Sequence, residues 1–211
     1  MARKDRTGNR KKRENFKLQK PRFGYHIIFT DTEKTEKNYI QGLKDALPDE
    51  IKENIIIKIY NARTQKLVSA CENETSYALQ HAQGWIMFDR DQVNNFDDII
   101  KEAESKGIGV AWSNPCIEIW FEAYFGKMTQ YADSVKCCEG FSATFEKNTG
   151  HKYDKGEKEI YALLNEYGNE IKAIEVAKER FSKHSLIYTK PSEMNPCTTV
   201  YELIKTITPS E

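Results

Sequence analysis

The stretch Gly84-Trp-Ile-Met-Phe-Asp89-Arg-Asp91 constrains this chain most. Trp85 to Phe88 run without a polar interruption and stop at two carboxylates, the pattern of a strand buried on both faces that carries acids to its C-terminal end. Open α/β sheets bind their ligands at that end. A turn just after Asp89 is expected to bring Asp89 and Asp91 to one site. Such a pair suits Mg2+, with a solvated acidic loop as the alternative.

The same grammar recurs on both sides of this strand. Phe23 to Phe29 is a β-prone run that stops at Thr30-Asp31-Thr32, and Tyr39, Ile40, Leu43, Ala46 and Leu47 then recur at helical spacing over Glu33 to Leu47, which Pro48 ends. Ile55 to Tyr60 reads as a second strand. Thr64 to Gln83 reads as a helix, apolar at Leu67, Val68, Cys71, Tyr77, Ala78, Leu79 and Ala82, with 73–76 as a candidate break. Phe96 to Lys106 gives a helix closed by Gly107, and Ile108 to Trp112 a fourth strand. Strands and helices alternating at these lengths predict right-handed crossovers and a mostly parallel sheet, hence an α/β fold.

From Cys116 the pattern turns helical. Ile117, Trp120, Phe121 and Phe125 fall on one face of a helix, and helical spacing continues over Tyr131 to Glu146, Glu157 to Tyr167, Glu170 to Ser182 and Thr198 to Ile207. Ser113-Asn114-Pro115 reads as a helix start, with a capping side chain and then Pro where no donor is needed. Glu118 then lies in the first turn, either as an acid favoured by the helix dipole or as a member of a metal cluster. The expected organisation is a basic, flexible arm over 1–22 and one domain over 23–211. Its α/β core covers about 23–125, and the helical C-terminal half, about 126–211, packs on that core.

Charge is unevenly placed. The 211 residues balance to zero, yet residues 1–22 hold ten Lys/Arg against Asp5 and Glu14, so a positive arm precedes an acidic body. Such an arm, with Arg10, Lys11, Lys12 and Arg13 at its densest point, suits nucleic-acid phosphates; a solubilising tail is the alternative. No apolar run approaches the ~20 residues of a membrane span, and the N-terminus lacks the apolar segment of a secretory signal, so a cytoplasmic protein without membrane partners is expected. The cysteines Cys71, Cys116, Cys137, Cys138 and Cys197 are odd in number and lack paired C-x-x-C units. That pattern predicts reduced thiols rather than a disulfide framework or a structural zinc.

Several strand ends thus deliver acids to one sheet edge: Asp31, with Glu33 and Glu36 after it, and Asp89 with Asp91. A carboxylate-and-water site favours Mg2+ or Mn2+ over zinc. Its commonest chemistry is neutralising phosphate oxygens and activating water. Neither G-x-x-x-x-G-K-[ST] nor G-x-G-x-x-G is present, which disfavours a P-loop hydrolase and a dinucleotide cofactor.

Four blocks carry a resemblance: Ile27-Ile-Phe-Thr-Asp31-Thr-Glu-Lys-Thr35-Glu36-Lys-Asn-Tyr39, Phe88-Asp89-Arg90-Asp91, Ser113-Asn-Pro-Cys-Ile-Glu118-Ile-Trp120, and Asn195-Pro196-Cys-Thr-Thr199-Val. Together they resemble the RloB-like (AbiL-type) proteins. The resemblance implies a Toprim-like, Rossmann-like core related to OLD-type nucleases. It also implies a role in bacterial anti-phage, abortive-infection defence beside an ABC-type ATPase. Carried over by position, it makes Asp31, Asp89 and Asp91 the metal ligands, with Glu36 and Glu118 completing the catalytic set. Where the family has Glu-Gly, this chain has Asp31-Thr32, a shorter acid and a residue without glycine's conformational freedom. Either Asp31 ligates after a small shift, or Glu33 substitutes, or the site binds more than it cuts. The expected function is therefore a Mg2+- or Mn2+-dependent nuclease on DNA or RNA. A non-catalytic sensor or nucleic-acid-binding subunit is the alternative, and homo-oligomerisation is left open.

Overall fold

The computed structural model describes residues 24–32, 34–53, 56–78, 82–91 and 93–208. Arg10, Lys11, Lys12, Arg13, Glu33 and Leu79 lie outside them.

Five strands form one sheet: β1 (Tyr25–Thr30), β2 (Ile56–Asn61), β3 (Gln83–Asp89), β4 (Gly109–Asn114) and β5 (Cys197–Thr198), in the order β2-β1-β3-β4-β5. The first three pairings are parallel and β4–β5 is antiparallel. The expected mixed α/β fold with a mostly parallel sheet and a helical C-terminal half is what the structure shows. The alternation of the strands sets its layers. Tyr25, Ile27, Phe29, Ile86, Phe88, Val110 and Trp112 face one core with Leu67, Val68 and Cys71 of α3 (Leu67–Tyr77) and Phe96, Ile99 and Ile100 of α4 (Phe96–Ser105). Ile28, Ile57, Trp85, Met87 and Ala111 face the other core. That side is filled from α1 (Thr35–Ala46), α5 (Glu118–Ala123), α6 (Ser134–Thr149), α7 (Ile160–Tyr167), α8 (Glu170–Ser185) and α9 (Val200–Ile207).

Several local expectations need correcting. The helix expected over 64–83 begins as a 3-10 turn at Thr64–Lys66, runs unbroken through 73–76 as α3, and stops at Tyr77. Ala78 is already extended, and Gln83 and Gly84 belong to β3. Close packing explains this, because a Cβ on Gly84 would lie 2.7 Å from the Cys71 sulfur of α3. A short helix, α2 (Asp49–Lys52), follows Pro48 where only a helix end is expected. Helix α5 does not have a single apolar face: all six of its residues are buried, Glu118 and Glu122 included. Gly109 marks another tight contact, since a Cβ there would meet the Trp85 ring at 2.5 Å. Gly109→Ala should therefore destabilise the fold by about 1–3 kcal/mol through overpacking, read as a lower urea midpoint with an unchanged slope. A midpoint equal to that of the parent would mean that the Trp85 ring yields freely.

The Ser113-Asn114-Pro115 element is not a helix cap. Ser113 and Asn114 finish β4, and α5 starts after Ile117 with no side-chain cap. Their side chains are committed to the late part of the chain. Ser113 Oγ lies 3.1 Å from Thr198 Oγ1, and Asn114 Nδ2 donates to the carbonyls of Pro191 and Ser192 at 3.2 and 3.1 Å. Thr199 Oγ1 accepts from Trp112 N at 3.0 Å and donates to Val110 O at 2.8 Å. The third and fourth sequence blocks are thus two sides of one β4–β5 ladder. Its side-chain bonds fix the direction in which the chain leaves β4 towards Glu118.

Candidate metal centre

Parallel register places the strand ends together. Thr30 pairs with Met87 and Asp89 with Ser113, so the residues just past β1, β3 and β4 share the C-terminal edge. The ladder continues beyond the strands: Asp31 N donates to Met87 O at 3.3 Å, Arg90 N to Ser113 O at 2.8 Å and Asp91 N to Pro115 O at 3.0 Å. Asp89 and Asp91 are two positions apart and therefore share a face in extended chain, so no turn just after Asp89 is needed. The turn comes later, where Val93 N donates to Arg90 O at 2.9 Å.

One cavity of about 700 Å³ opens at this edge, and Asp31, Glu36, Asp89, Asp91 and Glu118 all line it. Four segments supply these acids: Asp31 after β1, Glu36 from the first turn of α1, Asp89 and Asp91 from the end of β3, and Glu118 from the start of α5. The Asp31-Thr32 turn forms without a left-handed residue, since among the described residues no non-glycine has positive φ. Instead Thr30 Oγ1 donates to Thr32 O at 2.8 Å, and Thr64 Oγ1 donates to Asp31 Oδ2 at 3.3 Å. Asp91 is exposed and accepts from Ser134 Oγ at 2.6 Å. It stands at the rim while the other acids stand inside.

Among the described residues, three buried carboxylate oxygens here have no hydrogen-bond partner: Asp31 Oδ1, Glu36 Oε2 and Glu118 Oε2. A buried acceptor left unpaired costs about 1–3 kcal/mol, so a positive ligand in this cavity would offset a cost that the fold otherwise bears. Among the described residues, compensation on the Glu118 side comes from Tyr153 OH, which donates to Oε1 at 3.0 Å, and Lys155 Nζ, 3.8 Å from the same oxygen. Thr35 Oγ1 holds this lysine's loop by donating to Lys155 O at 2.8 Å. An all-oxygen donor set of this kind fits Mg2+ or Mn2+.

Protonation follows from the crowding. Burial, helped by the Asp91 charge, raises Asp31 from its ordinary 3.8 to about 6. Burial together with Asp31 and Glu118 raises Glu36 to about 8, against a lowering by Lys155. Burial with Glu36, Asp31 and Glu118 around it drives Asp89 well above the carboxylate range. In all three the folded protein keeps protons that the unfolded chain releases near pH 4. The cluster's stabilising contribution is therefore full below about pH 4 and is lost as pH rises through 6 to 8. Metal-free protein in a chelator should melt lower at pH 8.5 than at pH 5.5, and Mn2+ should restore the loss. A Glu36→Gln variant should flatten the slope; an equal slope in that variant would remove the cluster as its cause.

Sequence spacing missed two features, the thiol pair beside Glu118 and Lys155. Cys116 and Cys138 lie far apart in the chain, yet their sulfurs and a Glu118 oxygen all fall within 4.8 Å of one another. All five cysteines are free thiols. Lys155 enters from the loop before α7, which carries no pattern of its own. Among the described residues, no helix is long and apolar enough to cross a membrane.

Fold and site together define an α/β protein with a mostly parallel, doubly covered sheet and a carboxylate-lined cavity at its C-terminal edge. Residues 26–207 match the family described as RloB-like protein, and the chain belongs to that family. No curated protein and no solved structure gives a significant match.

Proposed function

We propose that this protein is a divalent-metal-dependent nuclease with a Toprim-like centre. In this reading Asp31, Asp89 and Asp91 hold Mg2+ or Mn2+, and Glu36 and Glu118 complete the set. The observation that carries the reading is the convergence of five carboxylates from four segments on one cavity, with three buried oxygens unpaired. A divalent ion bound there neutralises phosphate oxygens and lowers the pKa of its bound water. The chain's own part is to hold the carboxylates in place through the β1–β3–β4 register and to offer donors for phosphate from Lys34 and Lys155, which line the same cavity. Without an ion, burial and the neighbouring acids raise Glu36 to about 8, so Glu36 would release its proton when a divalent ion binds there.

The partners in this proposal are nucleic acid, bound in part by Arg10, Lys11, Lys12 and Arg13, and an ABC-type ATPase that restrains the nuclease until phage infection. Related OLD-type nucleases, the abortive-infection setting and a cytoplasmic location belong to the same proposal. The test is incubation of the protein, alone and with its proposed ABC-type ATPase partner, with plasmid DNA, single strands and tRNA in Mg2+ or Mn2+. Cleavage that EDTA abolishes supports the reading. Absence of cleavage on every substrate, with the ATPase present and triggered, refutes it.

A further inference from the structure

We propose that Cys116, Glu118 and Cys138 form a second cation site, which takes a soft or borderline divalent ion such as Zn2+ through two sulfurs and one carboxylate oxygen. Their ligating atoms already lie within 4.8 Å of one another, close to what a tetrahedral thiolate site needs after small side-chain adjustments. The site stands on fixed elements: Cys116 in the β4–α5 connection, Glu118 as the first residue of α5, and Cys138 in the second turn of α6. A separate observation points to a ligand. Glu118 is 1% exposed and its Oε2 has no hydrogen-bond partner, although Oε1 has both Tyr153 and Lys155.

Sulfur ligands select against Mg2+, so this site and the oxygen-only cluster divide the available cations by softness. Three protein ligands leave a fourth position, and since Cys116 and Glu118 both line the cavity, that position opens towards it. Lys155 is the positive charge that faces Glu118 in the absence of an ion. Its side chain is 61% exposed, so it can move outward when a dication takes its place. Because Glu118 belongs to both groups, an ion held by the thiols withdraws a carboxylate from the hard-cation cluster. Thiol-bound Zn2+ would thereby act as a brake on whatever the cluster does.

The experiment reads metal binding, not cleavage, so its outcome is separate from that of the nuclease reading. Full-length, reduced protein in excess Mg2+ is titrated with Co2+, and both the visible bands of tetrahedral cobalt and the near-ultraviolet thiolate-to-cobalt charge-transfer band are recorded. Wild type should show both, and one equivalent of Zn2+ should bleach them. Cys138→Ser, at a half-buried position, should lose about half of the charge-transfer intensity and bind at least about tenfold more weakly. Cys71→Ser, on the other face of the sheet, and Asp89→Asn should leave the bands intact. Circular dichroism checks each fold, and Cys116→Ser serves as the second ligand variant. Wild type without a thiolate band, unchanged bands in both ligand variants, or loss of the band in Asp89→Asn would each overturn the proposal.

Discussion

Asp89→Asn should lose at least about a thousandfold of metal-dependent nucleic-acid cleavage while the metal-free protein melts higher than wild type. The two effects have one cause. Asp89 sits among Glu36, Asp31 and Glu118 and is held well above the carboxylate range by burial and by those charges. An amide removes the like-charge strain and keeps an oxygen to accept from the Ile117 backbone N–H. Relieving such a site typically adds about 0.5–2 kcal/mol, or roughly 2–4 °C per kcal/mol for a chain of this size. The same change removes a ligand from an ion worth several kcal/mol of transition-state stabilisation, and about 4 kcal/mol is a thousandfold in rate. Thermal melts in EDTA and with Mn2+, run beside the cleavage assay, separate the outcomes. Lost cleavage with lowered stability would make Asp89 a structural acid. Full cleavage by Asp89→Asn would end the reading of this cavity as the site of cleavage.

Asp89 was legible in the sequence because a buried parallel strand announces itself by an unbroken apolar run, and its polar terminus then stands out. Asp31 was legible for the same reason. What periodicity does not carry is register. Glu36 and Glu118 read equally well as helix-start acids, and only the pairing of Thr30 with Met87 and of Asp89 with Ser113 turns them towards one cavity. The Ser113-Asn114-Pro115 element misled for a related reason. Its side chains satisfy partners far along the chain, at Thr198, Pro191 and Ser192, and a local capping rule has no access to such partners. Strand β5 is two residues long, too short to show alternation at all. The thiol pair Cys116 and Cys138 escaped because ligand motifs are recognised at short linear spacings, whereas here α6 folds one sulfur back onto the other.

Glu122 and Glu118 offer the sharpest test of what the cavity is for. Both lie on α5, at 0% and 1% exposure, so burial alone would give them the same role. Their partners differ. Glu122 accepts from Thr129 N at 2.7 Å, Thr129 Oγ1 at 3.1 Å and Tyr131 OH at 3.0 Å, and Lys127 Nζ lies 3.2 Å away. Both of its oxygens are used, and they fasten the segment between α5 and α6. Glu118 leaves Oε2 unpaired in a cavity lined by other acids. Glu122→Ala should leave Thr129 N, Thr129 Oγ1 and the half-buried Tyr131 OH without their shared acceptor and cost about 1–3 kcal/mol, a fall of several degrees in melting temperature. Glu118→Gln should keep the Tyr153 hydrogen bond through its remaining oxygen and stay within about 1 kcal/mol of wild type, or exceed it, in EDTA. With Mn2+ added the order changes meaning: wild type should gain several degrees that Glu118→Gln does not, because an ion bound at a hundred times its dissociation constant adds about 2.7 kcal/mol. If Glu118→Gln falls as far as Glu122→Ala in EDTA, the unpaired oxygen is a structural acceptor and the cavity loses its claim to a cation. If only Glu122→Ala falls, the two buried acids of one short helix divide cleanly, one holding the fold together and the other held ready for a ligand.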